Sequence, residues 1–223
     1  MMRRLLTTLC LVGLLTAPHR APGHPHVFVD AGLTLIFDER GQLAALRVFW
    51  AYDAFYSLMM IEERGLDPDG DGNLTDAELD SIAGTDVDWE AGFPGDLHLS
   101  RDGNDVALSR PVRHGADYEP TSARIVTRHV RPLTNRIDPA EGALAIRVYD
   151  PGYFVKYDVT LPVTVEGRED CRLTRRSANP DRAARILERE IAKLPADVML
   201  ENEYPEVGRH FADTLIVSCG ATG

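Results

Sequence analysis

The chain has 223 residues, with 24 Lys and Arg against 35 Asp and Glu, for a formal net charge of −11. Phosphate backbones repel so acidic a chain, and no concentrated basic patch stands in the sequence, so a nucleic-acid binder is excluded and cations are the expected partners. A hydrophobic fraction of 44% and a charged fraction of 26% belong to an ordinary globular chain, long enough to bury a core without a disulfide scaffold.

Met1-Met2-Arg3-Arg4 is a positive start, followed by an apolar run over 5–17 that Pro18 ends too soon for a membrane anchor. Ala21-Pro22-Gly23 places small residues at the −3 and −1 positions of a signal-peptidase site. Residues 1–23 therefore read as a secretory signal peptide and His24 as the first residue of the exported chain. Cleavage removes Arg3, Arg4 and Arg20 but no acid, so the exported chain is more acidic by three charges. Cys10 leaves with the signal. The remaining pair, Cys171 and Cys219, is expected to form a disulfide in an oxidising compartment, in preference to a two-cysteine zinc site with no His nearby.

Strand formers over 26–37 and 43–50 flank Asp38-Glu39-Arg40-Gly41, which predicts a β-hairpin. Residues 53–64 change to a helical pattern, with Asp53 able to cap the start and Gly65 the end. A second short helix is predicted from Asp76 to Gly84. Strands return at 97–99 and 106–108 around an Asp102-Gly103 turn, and again over 122–131, 143–149 and 153–165, the last interrupted by Pro162. A helix over 180–194 starts with Asn179 as cap and Pro180 in its first turn. Residues 195–211 carry no clear pattern, and the run 214–219 is strand-like. The fold class is α+β: a mainly antiparallel, sandwich-like β core with an inserted helix–loop–helix over about 53–84 and a helix near the C-terminus. Residues 24–223 form one domain.

The strongest motif runs from Asp67 to Glu78, DPDGDGNLTDAE. It matches the twelve-residue EF-hand loop: Asp67, Asp69 and Asp71 at positions 1, 3 and 5, Gly72 at the sharp turn, the Asn73 carbonyl at 7, Thr75 at 9 and Glu78 at 12. Calcium takes six to eight oxygens, and these residues present them in order. Pro68 disfavours helical backbone at Asp67, so the incoming helix is expected to stop early. A single loop of this kind fits a fixed ion that stiffens an insertion better than a paired sensor.

A second candidate is His24-Pro25-His26 at the predicted new terminus, whose imidazoles and α-amine suit Zn, Ni, Co or Cu. Pro25 has no amide proton, which blocks the chelate that uses deprotonated backbone nitrogens. Side chains from elsewhere are then required, with Asp53, Asp150, His114 and His129 as the pool. His98 and His210 are isolated. There is no nucleophile elbow, phosphate-binding glycine loop, H-E-x-x-H or recognisable triad, so no catalytic residues are assigned.

The order of an export signal, HPHVFVD, FWAYDAFYS, the DPDGDGNLTDAE loop, VYDPGYFVKY and a closing cysteine pair resembles a bacterial periplasmic family. That family is catalogued as a domain of unknown function and described as the periplasmic component of an uncharacterised ABC-type transport system. The resemblance implies a periplasmic protein associated with transition-metal transport, with a membrane transporter as partner and no established activity. By position, His24 and His26 match the family's terminal histidines, Trp50 and Asp53 its aromatic–acidic segment, and Tyr149, Asp150, Pro151 and Tyr153 its Y-D-P segment.

Three functions follow as expectations. The first is a non-enzymatic metal-binding accessory that holds a transition metal at His24 and His26 and structural calcium at 67–78. The second is a copper enzyme using an N-terminal histidine chelate. The third is a calcium-stabilised β module that binds another envelope protein.

Overall fold

A computed structural model describes residues 24–93, 95–195 and 204–220. The predicted signal peptide lies outside the described residues. The first hairpin forms as the sequence predicts: β1 (Val27–Phe37) and β2 (Leu43–Tyr52) pair antiparallel. Then come α1 (Ala54–Arg64), α2 (Asp76–Ile82), β3 (Leu97–Arg101) and the two-residue β4 (Asn104–Asp105), with Asp102-Gly103 at the turn between the strands. The chain continues through β5 (Val112–Glu119), β6 (Arg124–Ile137), β7 (Leu144–Val148), β8 (Val155–Asp158), β9 (Val163–Glu166) and β10 (Cys171–Arg176). It ends with α3 (Pro180–Ile191) and β11 (Thr214–Cys219).

Two sheets result. One has the order β5-β6-β2-β1-β8, with β9 also on β1; the other is β10-β11-β7-β3-β4. The second is antiparallel throughout. The first is mixed, because β8 and β9 run parallel to β1, a departure from the antiparallel pairing expected. Together they make one broken edge. The Leu33 amide donates to the Pro162 carbonyl and the Leu161 amide to that of Ala31. Pro162 thus interrupts the run at an edge, where its missing N–H costs no ladder bond. Gly32 makes this close approach possible, since a Cβ there would lie 2.8 Å from that of Leu161.

The two sheets share one core. Leu33 and Leu35 of β1, Val48 and Trp50 of β2, Ile146 of β7 and Val217 of β11 are all buried in it. Each such side chain contributes roughly 1.5–3 kcal/mol relative to exposure. The helical insertion has its own smaller core, where Leu66 and Ile82 meet Ala116 of β5 and Ile125 of β6. Ser57, fully buried on α1, accepts the Ile125 amide at 3.0 Å and fixes the helix against β6.

Cys171 and Cys219 are bonded, directly opposite one another across β10 and β11. Among the described residues no helix is long and apolar enough to cross a membrane.

Candidate metal centre

Asp53 caps α1 as the sequence predicts, accepting the Tyr56 amide at 2.9 Å, and Gly65 closes the helix in the left-handed region. The helix stops at Arg64, before the loop, in keeping with Pro68. Asp67 has φ +55°, outside right-handed helical space. Its carboxylate turns into the loop and accepts the amides of Asp71 (3.0 Å) and Gly72 (3.1 Å). Gly72, with φ +78°, occupies the sharp turn that disfavours any side chain.

One carboxylate oxygen from each of Asp67, Asp69 and Asp71 lies within 4.8 Å of the others. Two oxygens on one calcium, each at 2.3–2.6 Å, stand no more than about 5 Å apart, so the three are spaced to share one ion. No other set of three or more potential ligands converges this way among the described residues. Asn73 is held by Asp71, whose Oδ1 accepts its amide at 2.8 Å.

Glu78 stands apart from the three aspartates in this arrangement. Its Oε1 accepts the Asp67 amide (2.7 Å) and its Oε2 the Thr75 amide (2.7 Å) and hydroxyl (2.6 Å). Thr75 and Glu78 thereby form the capping box of α2. The hydrogen bonds from Thr75 and the Asp67 amide hold the Glu78 carboxyl below the usual carboxylate range. This residue already ties the first loop position to the ninth. To chelate calcium from both oxygens, it would exchange some of those bonds for metal bonds.

The loop is also anchored from behind. Leu66 is buried just before Asp67, and Leu74, at loop position 8, packs against the same cluster beside Leu79 and Tyr118. In paired EF-hands this face meets a second loop; here the β5–β6 face takes that place.

His24 and His26 lie at the start of β1, with ring centroids 4.8 Å apart. His24 stacks on Tyr204 at 3.8 Å, and both rings contact Phe154, at 5.5 and 4.9 Å. The chain is fixed beneath them by the His26 amide, which donates to the Phe154 carbonyl at 2.9 Å.

Asp53 and Asp150 flank this end of β1. Asp53 accepts the Phe28 amide at 3.0 Å. Asp150 accepts the amides of Gly152 (2.9 Å), Phe154 (2.7 Å) and Val155 (3.1 Å). Both carboxylates are therefore used in shaping the backbone around the histidines. Their oxygens do not join the two rings in a group of potential ligands with atoms within 4.8 Å.

The Y-D-P turn is clamped from its far side. The Gly208 amide donates to the Pro151 carbonyl at 3.0 Å, and a Cβ on Gly208 would lie 1.8 Å from the Asp150 oxygen. Tyr153 stacks on Phe211 at 4.0 Å and shares a cluster with Leu187 of α3 and Val207.

His114 and His129, the other members of the pool, have ring centroids 6.4 Å apart. His129 is 1% exposed, set edge-on to Trp50, and burial pushes its imidazole down to about 3, so it is neutral at pH 7. Two carboxylates, half-buried Asp86 and fully buried Asp96, are not singled out by the sequence. Asp86 accepts the hydroxyls of Tyr52 (3.0 Å) and Thr127 (2.5 Å), and Asp96 accepts that of Tyr157 (2.9 Å). Nothing local in the sequence distinguishes them from the surface acids.

Comparison with curated proteins finds no match. Residues 8–219, nearly the whole length, match the family described as protein of unknown function (DUF1007), and the chain belongs to that family.

Proposed function

We propose that the protein is a non-enzymatic, periplasmic metal-binding accessory of transition-metal transport, with one calcium ion stiffening its helical insertion. The convergence of Asp67, Asp69 and Asp71 carries the calcium reading. Calcium outside the cytoplasm is plentiful, and a weak site with Kd of about 10⁻⁴–10⁻³ M would be filled there. Because Leu66 and Leu74 join the loop to β5 and β6, the ion would hold the insertion to the sheet.

The transition-metal reading rests on the proximity of the His24 and His26 rings, nitrogen donors suited to Zn, Ni, Co or Cu. Asp53 and Asp150 would contribute only by exchanging a backbone hydrogen bond for the metal. Phe28 of β1 and Phe154, just before β8, are each about half exposed near the histidines and would offer a membrane transporter an apolar surface. The signal peptide expected from the sequence and the disulfide both fit the periplasm.

Calcium at about 1 mM is expected to stabilise the chain by about 0.4–1.4 kcal/mol, the mass-action gain for a site of that affinity. Thermal unfolding with and without calcium measures this. Glu78→Gln should lose most of the gain, and an equal shift in both proteins would sink the calcium reading. For the histidines, intact mass first establishes whether the exported chain starts at His24. A His24→Ala, His26→Ala variant should then bind zinc, nickel and copper at least about tenfold more weakly, a loss of about 1.4 kcal/mol or more. Undiminished binding would remove the transition-metal role.

A further inference from the structure

One cleft of this acidic protein is walled by cations. It has a volume of about 310 Å³, and its lining includes Arg147, Arg176, Arg182, Arg209, His210 and Thr214. The arginines come from four elements: β7, the end of β10, the first turn of α3, and the 3₁₀ turn Gly208–His210. Among the described residues none of the four has a carboxylate within 4.0 Å, whereas Arg175, next to Arg176 in the chain, pairs with Asp213 at 3.4 Å.

Among the described residues, two of the guanidiniums are oriented by the protein through Nε alone. Arg147 donates from Nε to the Thr214 hydroxyl at 2.8 Å, and Arg209 to His210 Nε2 at 3.4 Å. Their terminal Nη groups stay outside those bonds. The imidazole of His210 registers the local field: burial and then the charges of Arg209, Arg182 and Arg147 push it below its ordinary value, against a pull from Glu190.

Four like charges around one small cleft repel one another unless a counter-charge sits among them. Guanidinium forks match oxyanions bidentately, and the volume is at the small end of ligand pockets, about 300–1,000 Å³. We propose that this cleft binds an oxyanion of phosphate type, oriented by Arg147 and Arg209 and enclosed by Arg176 and Arg182. Donors arriving from four elements suit a tetrahedral group, with oxygens in several directions, better than a planar carboxylate.

The phosphate group could be free in solution or carried on a phospholipid, and two arms separate these sources. Inorganic phosphate and pyrophosphate are titrated into the exported protein in calcium-free buffer, followed by amide chemical shifts, with chloride at matched ionic strength as reference. Vesicles of phosphatidylcholine, with and without phosphatidic acid, are tested by co-flotation. Saturable binding of either soluble anion is expected, weakened at least about tenfold by Arg147→Gln with Arg209→Gln. Arg182→Gln, on an exposed turn where the side chain makes no hydrogen bond among the described residues, should weaken it too without disturbing the fold. Binding confined to phosphatidic-acid vesicles and lost in the same variants assigns the group to a lipid. A response no different from chloride with no vesicle binding, or binding unchanged in both variants, overturns the proposal. None of these outcomes depends on calcium or on His24 and His26.

Discussion

Replacing Cys171 and Cys219 together with Ala should cost about 4 kcal/mol of stability, the loop-closure value for a bridge between residues 48 apart in sequence. The position of the bridge points to a large effect. β10 is the edge strand of its sheet, joined to it through β11 alone, and its side chains are half-buried or exposed, so little apolar burial holds it. The closed loop includes α3 and the segment that clamps the Y-D-P turn beneath the histidines. Denaturant unfolding of the oxidised protein and the double variant measures the difference, and a loss below about 1 kcal/mol would show that β10 is held by packing instead.

Asp96 and His129 should pull the pH dependence of stability in opposite directions. Asp96 is 2% exposed, and burial pushes its carboxyl up to about 7, although the Tyr157 hydroxyl and the Arg131 charge favour the ionised form. Between about pH 4 and 7 the folded state keeps a proton that the unfolded state has released, so this contribution is full at low pH and is lost as pH rises toward 7. His129 works the other way. Burial, with the Arg131 and His114 charges, pushes it down to about 3, so between about pH 3 and 6.5 only the unfolded state binds the proton and stability rises with pH.

The two slopes largely cancel in the wild type. Asp96→Asn should therefore uncover a stability that climbs by on the order of 3–4 kcal/mol, relative to wild type, from pH 4 to 7. His129→Leu, which fills the site without a titrating ring, should uncover a decline of similar size between pH 3 and 6.5. Difference curves of unfolding free energy against pH isolate each group from the surface carboxylates. Curves parallel to the wild type would mean that neither side chain is desolvated as its burial implies.

What could be read from the sequence was what is local. The convergent aspartates of the EF-hand-like loop, the Asp53 and Asn179 caps, the Gly65 helix end and the first hairpin each depend on residues a few positions apart. Thr75-Asp76-Ala77-Glu78 also carries the spacing of a capping box, so the capping role that Glu78 plays in the structure is legible in the same residues. The missed elements depend on distance. β5 begins Val112-Arg113-His114-Gly115, without the alternation of a half-buried strand, and its pairing with β6 shifts register over that stretch. The parallel pairing of β8 and β9 on β1 joins segments more than 120 residues apart. The contact of His24 with Tyr204 and the arginine cleft likewise assemble from residues that no sequence window contains.

The proposed calcium site at Asp67, Asp69 and Asp71 is central to the proposed function, and direct titration of the protein tests it. Calcium followed by amide chemical shifts should saturate at one ion per chain, with the largest changes at Asp67, Gly72 and Thr75, whose amides are bonded to the loop carboxylates. Asp69→Asn with Asp71→Asn should abolish that saturation. Shifts that do not saturate, or that survive the double substitution, would contradict it.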